Sequence, residues 1–156
     1  MHTASRKAGI VLAVCGALMC ASCRQHTVLH QYTDVDLWGW GTDDTLTFTL
    51  PKTVNHGELD VKLGVRTTSS FKYKTLHMLT IISRDDEVIE QDTIFVPVFD
   101  SNGQLTGDGF PYVTTMKPLP TLHVDSGHVY TYSVLHLMQE PRVKGIKDIG
   151  LEIYEP

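Results

Sequence analysis

From Asp34 onward, apolar side chains recur at every second position, and this alternation restricts the chain to half-buried β-strands. Leu46, Phe48 and Leu50 alternate with Thr45, Thr47 and Thr49, and Leu59, Val61, Leu63 and Val65 alternate with Asp60, Lys62, Gly64 and Arg66. Leu76 to Ile82 is apolar on both faces, which predicts a central strand covered on each side. Val88 and Ile89, then Thr93 to Phe99, predict a pair of short edge strands, because Pro97 has no N–H to pair. His128 to Met138 sets Tyr130, Tyr132, Val134, His136 and Met138 on one face, and Ile149, Leu151 and Ile153 close the pattern. Turn signals separate these runs at Asp43-Asp44, Asn55-His56-Gly57, Arg84-Asp85-Asp86, Asp100-Ser101-Asn102-Gly103, Asp125-Ser126-Gly127 and Lys144-Gly145. Gly107 to Leu122 breaks both helical and strand periods with Pro111, Pro118 and Pro120, and reads as a long loop pinned by Phe110, Tyr112, Met116 and Leu119. The expectation is all-β: one antiparallel β-sandwich of about seven or eight strands over residues 35–156.

The N-terminus follows another rule. Arg6 and Lys7 precede the apolar run Ala8 to Ala21, and Ala21-Ser22-Cys23 follows. About 14 residues of apolar helix are too short for a hydrocarbon core of roughly 30 Å, so residues 1–22 read as a removable lipoprotein signal peptide. Cys23 would carry the acyl chains, and two or three chains hold a protein on a membrane almost permanently, each methylene contributing about 0.8 kcal/mol. Residues 23–34 would be a lipidated, solvated tether. No acidic cluster follows Cys23, which favours a periplasm-facing lipoprotein; the outer membrane is the expected location, although this feature does not choose between the two membranes.

Charge and cysteine content narrow the function. Against 18 acidic residues the full chain has 13 Lys plus Arg; without Arg6 and Lys7 it has 11, a formal charge of about −7. An acidic body argues against nucleic acid as a partner. Cys15 and Cys20 leave with the signal and Cys23 is taken by lipid, so no thiol remains for a disulfide, a metal or nucleophilic catalysis.

Several segments together carry a family resemblance. Trp38 or Trp40 is followed by Asp44-Thr45-Leu46-Thr47-Phe48, then Leu63-Gly64-Val65-Arg66 and Phe71-Lys72-Tyr73-Lys74-Thr75-Leu76. Asp92-Thr93, Phe99-Asp100-Ser101-Asn102-Gly103, Gly107-Asp108-Gly109 and Gly145-Ile146-Lys147-Asp148-Ile149-Gly150-Leu151 follow in order. With the signal ending at Cys23, this resembles the gliding-motility lipoprotein GldH family of Bacteroidetes over essentially the whole length. The resemblance implies an envelope lipoprotein connected with gliding and type IX secretion, with other envelope proteins as partners, no enzymatic activity and no catalytic residues to transfer.

The remaining constellations are weak. Asp100-Ser101-Asn102-Gly103 with Asp108 could suggest a calcium loop, but the twelfth position is Pro111 where a bidentate Glu belongs, and a turn on Asn102-Gly103 explains the same residues. His128 and His136 stand about 26 Å apart on an extended strand, too far to share a metal. No Gly-x-Ser-x-Gly elbow occurs, and the paired carboxylates Asp43-Asp44, Asp85-Asp86 and Glu87-Glu90 fall at turns and edges. Neither a metal nor another cofactor is expected. Trp38 and Trp40, two residues apart, would share a strand face and either cap the core or, with Tyr73 and Tyr112, form a recognition surface. The leading expectation is a non-enzymatic scaffold of the gliding apparatus. The alternative is a glycan- or protein-binding envelope lipoprotein in a non-gliding bacterium.

Overall fold

The computed structural model describes residues 26–52, 54 and 57–156, so the signal peptide and Cys23 lie outside the described residues. Eleven strands occur and no helix is found among the described residues. They are β1 (His26–Asp34), β2 (Trp40–Gly41), β3 (Leu46–Thr49), β4 (Gly57–Thr67), β5 (Thr75–Arg84), β6 (Glu87–Pro97), β7 (Val113–Pro118), β8 (Leu122–Val124), β9 (Tyr130–His136), β10 (Arg142–Val143) and β11 (Ile146–Glu155). One antiparallel sheet runs β1-β11-β4-β7 with β8 also on β4, the other runs β3-β9-β5-β6, and β10 pairs with β2.

The alternation read from the sequence sets the inner faces. Leu59, Val61, Leu63 and Val65 of β4 and Ile149, Leu151 and Ile153 of β11 are buried against Leu46 and Phe48 of β3, Leu76 and Met78 of β5 and Tyr132 and Val134 of β9, in one apolar cluster. Each such side chain contributes about 1.5–3 kcal/mol on full burial, which stabilises two stacked sheets without a disulfide. The β5–β6 hairpin turns on Asp85 (φ 49°) and Asp86 (φ 68°), the left-handed pair that a two-residue turn needs and that Asp tolerates. Asp85 holds the turn by accepting the Val129 N–H at 2.8 Å and bonding His128 Nδ1, and these bonds lower its carboxyl pKa.

Five expectations are corrected. Residues 26–34 are not a solvated tether: they form β1, in register with β11 from His26↔Glu155 to Asp34↔Asp148. Tyr32 explains this, because its ring crosses Gly150 and Gly64, where any Cβ would collide with it. The Tyr32 hydroxyl donates to Glu152 Oε1 at 2.9 Å and Arg66 lies 4.4 Å over the ring, so β1 is fastened across three strands. Burial and the Glu152 carboxylate raise the Tyr32 pKa, and the phenol stays protonated.

Gly107 to Leu122 is not wholly a loop. Val113–Pro118 and Leu122–Val124 pair with β4, using the prolines at strand ends, while Phe110, expected to pin the segment, is 97% exposed. The edge is one continuous strand, Glu87–Pro97, with an irregular register opposite Ile82/Ser83, rather than two short ones. Strand β5 is central in pairing, between β9 and β6, but Leu79 and Ile81 on its outer face are only half-buried, so it is covered on one side. The strand count exceeds seven or eight because β1 was hidden in the segment read as tether, β7 and β8 in the segment read as loop, and β2 and β10 are two-residue strands that pair only with each other.

Register also defines two poles. His26 of β1, Glu155 of β11, the Asp85-Asp86 turn and Asp125 to Val129 gather at the proximal pole, where the chain enters. Asp34 and the segments 35–39, 68–74, 98–112 and 137–145 gather at the distal pole.

Candidate functional site

The distal pole carries five of the nine exposed large apolar side chains, Leu37, Trp38, Leu105, Phe110 and Leu137. Three of these, Leu37 at 99%, Phe110 at 97% and Trp38 at 77%, are the most exposed of all nine. Isolated exposed leucines are ordinary, but such side chains concentrated at one end make this pole the candidate site.

Trp38 is held outward by its own turn. Asp36 Oδ1 accepts the Trp38 N–H at 2.8 Å and the Asp36 carbonyl accepts the Gly39 N–H at 2.9 Å. Gly39 then takes φ +111°, with a Cβ position only 2.9 Å from the Val143 carbonyl oxygen, so only glycine fits. This torsion breaks the strand between the two tryptophans. Trp40 is accordingly not part of a recognition surface: it is fully buried, stacks edge-on against His136 at 5.4 Å, and donates its indole N–H to the Asp44 carbonyl at 2.7 Å. Core packing is the outcome for Trp40, and exposure for Trp38.

The two tyrosines sit at the same pole. Tyr73 is half-buried against Phe71, with ring centroids 5.6 Å apart, and burial followed by its bond to Glu140 raises its pKa. Tyr112 is half-buried in the loop before β7 and lies within electrostatic reach of Lys147. Lys147 pairs with Asp34, lowering the Asp34 carboxyl and raising its own ammonium, and lines a shallow cleft of about 510 Å³ with Leu37 and Trp38. A second cavity of about 370 Å³ is lined by Ser70, Lys72, Tyr73, Arg142 and Lys144. Sequence reasoning missed this cavity, because its cations come from two segments about seventy residues apart.

The other constellations dissolve into structure. Asp100 Oδ1 accepts the N–H groups of Asn102 and Gln104, both at 2.8 Å, and Gly103 adopts φ +76°, so the segment is a turn stabilised by its own aspartate. His128 bonds Asp85 at the proximal pole, whereas His136 is 2% exposed in the core with its Nε2 unpartnered. Among the described residues no group of three His, Cys, Asp or Glu side chains is arranged to hold a metal ion.

Comparison with known proteins places the domain. Over 155 residues the chain is 22% identical to the gliding motility lipoprotein GldH of Flavobacterium johnsoniae, covering 95% of this chain and 96% of that one. Among solved structures, dimeric latent PorU from Porphyromonas gingivalis matches at a TM-score of 0.36 and 14% identity, covering 84% of this chain. The chain spans 13% of that protein, a likeness too remote to bear on fold or function. A family model for the GldH lipoprotein matches residues 27–153, from the second residue of β1 to Ile153 in β11, and the chain belongs to the GldH lipoprotein family.

Proposed function

We propose that this protein is a non-enzymatic cell-envelope lipoprotein, acylated at Cys23, that serves as an accessory or scaffold subunit of a gliding-motility apparatus linked to type IX secretion. Family membership and the name of the Flavobacterium relative support the setting. One observation carries the mode of action: the chain enters at the proximal pole while the exposed apolar side chains collect at the other. Acyl chains at Cys23 would hold the proximal pole at the membrane, outer and periplasm-facing in this reading. Strand β1 then sets the distal pole about 26 Å farther out, at roughly 3.3 Å per residue. Leu37, Trp38 and Phe110 would meet a protein partner at that distance. Burial of Trp40 leaves the glycan alternative without its stacking pair.

Deletion of the gene, with complementation by the natural chain and by Cys23→Ser, tests the proposal. Spreading on agar should be lost on deletion, restored by the natural chain and not restored by the variant that cannot be acylated. Normal spreading and secretion in the deletion strain would overturn the setting, and full rescue by Cys23→Ser would overturn the anchored mode of action.

A further inference from the structure

Ten of the chain's lysines and arginines are described, and they are not spread evenly. Arg66, Arg84 and Lys147 pair with Asp148, Asp125 and Asp34. Of the seven with no carboxylate oxygen within 4 Å among the described residues, three, Lys72, Arg142 and Lys144, line the 370 Å³ cavity at the distal pole. In a body of formal charge about −7, these three cations gather around one hollow and outnumber the Glu140 carboxylate that Tyr73 bonds beside it, which leaves the hollow locally cationic. Ser70 and Tyr73 add hydroxyl groups to the same wall.

The hollow is also fixed in shape. Arg142 Nη1 donates to the Gly39 carbonyl at 3.2 Å, which ties the guanidinium to the turn that presents Trp38. Gly145, at φ +86°, lies so close to Phe71 that a Cβ would strike the Phe71 backbone, so the loop bearing Lys144 is pressed against the loop bearing Ser70 and Lys72. A Cβ on Gly39 would also meet the Lys144 side chain at 3.4 Å, which places the exposed tryptophan turn directly beside the cations.

We infer that this cavity is a carboxylate-binding site that docks an acidic segment of a partner protein, with an apolar residue of the same segment lying on Trp38. Charge complementarity selects the acid, because three unpaired cations gain most from an anion that enters between them. The neighbouring Trp38 selects a polypeptide: Trp, Tyr and Arg together are the side chains that dominate protein–protein contacts. The membrane that would hold Cys23 is excluded as the source of the anion, since the cavity lies at the pole opposite the chain's entry. This inference rests on the docking role proposed above and names the chemistry of its partner.

The full-length acylated protein in neutral detergent, titrated with a fluorescent hexaglutamate peptide, tests it, with hexaglutamine and hexagalacturonate as comparison probes. Hexaglutamate should bind, weaken steeply as salt rises, shift Trp38 emission, and bind at least tenfold more weakly to Lys72→Glu/Lys144→Glu. Both lysines are exposed, so the variant should keep the natural melting temperature. Absence of hexaglutamate binding, or unchanged binding to the double variant, would overturn the site. Preference for hexagalacturonate would overturn the peptide assignment in favour of an acidic glycan. The motility assay is independent: failed peptide binding alongside lost spreading removes this site alone, and normal spreading with intact peptide binding removes the gliding setting alone.

Discussion

Replacing Trp40 by alanine should be among the most damaging single changes available, and the same change at Trp38 among the least. Trp40 is fully buried, touches His136 edge-on, and spends its N–H on the Asp44 carbonyl. Truncating a buried Trp costs about 3–5 kcal/mol through lost transfer energy and the cavity left behind. The described domain has about 130 residues, and an unfolding entropy of about 2.1 cal/mol/K per residue gives roughly 0.27 kcal/mol/K, so the melting temperature should fall by about 11–19 °C. Trp38 is 77% exposed, and Trp38→Ala should move the midpoint by no more than about 2 °C, in keeping with surface substitutions within ±0.5 kcal/mol. Thermal unfolding followed by far-ultraviolet circular dichroism measures both, while emission distinguishes them: removing Trp38 should leave a blue-shifted spectrum and removing Trp40 a red-shifted one. Equal shifts in melting temperature from the two variants would refute the opposite placement of the two indoles.

Two further outcomes follow from the same packing. Gly150→Val should push Tyr32 off the sheet and raise amide hydrogen exchange across residues 26–34 while leaving β5 and β9 protected; uniform protection would show that β1 is held by its ladder alone. His136 has its pKa lowered by burial, so the unfolded chain binds the proton more readily. Stability should thus be complete above about pH 6.5, the ordinary histidine value, and decline as pH falls below it, and in His136→Leu this component of the urea midpoint's pH dependence should vanish.

Legibility in the sequence followed locality. Strands β3, β4, β9 and β11 were readable because each has one apolar face whose partners need not be known. Strand β1 was not: its burial pattern is irregular, a register shift interrupts it between Thr27 and Leu29, and it is fastened by Tyr32 lying over glycines 32 and 118 residues away. Two mid-strand glycines, Gly64 and Gly150, were the available signal, since a glycine inside a strand often marks a close approach. Strands β7 and β8 were masked by prolines that the fold places at strand ends. The shared face assigned to Trp38 and Trp40 failed because the i, i+2 rule presumes extended backbone, and Gly39 does not supply it. Tyr73 was legible as a candidate, but the cations around it meet only once the loop bearing Lys144 packs against the loop bearing Lys72.

Strand β1 has a mechanical consequence. If the acyl chains pull on Cys23 while a partner holds the distal pole, the load runs along β1 and past its neighbour β11, so the ladder from His26↔Glu155 to Asp34↔Asp148 is strained in shear. Bonds loaded in shear resist together, whereas bonds peeled from one end fail in turn. The Tyr32 ring, lodged across β11 and β4 with Arg66 behind it, then acts as a catch against sliding. Loaded in this way, the domain is a link that bears tension along β1.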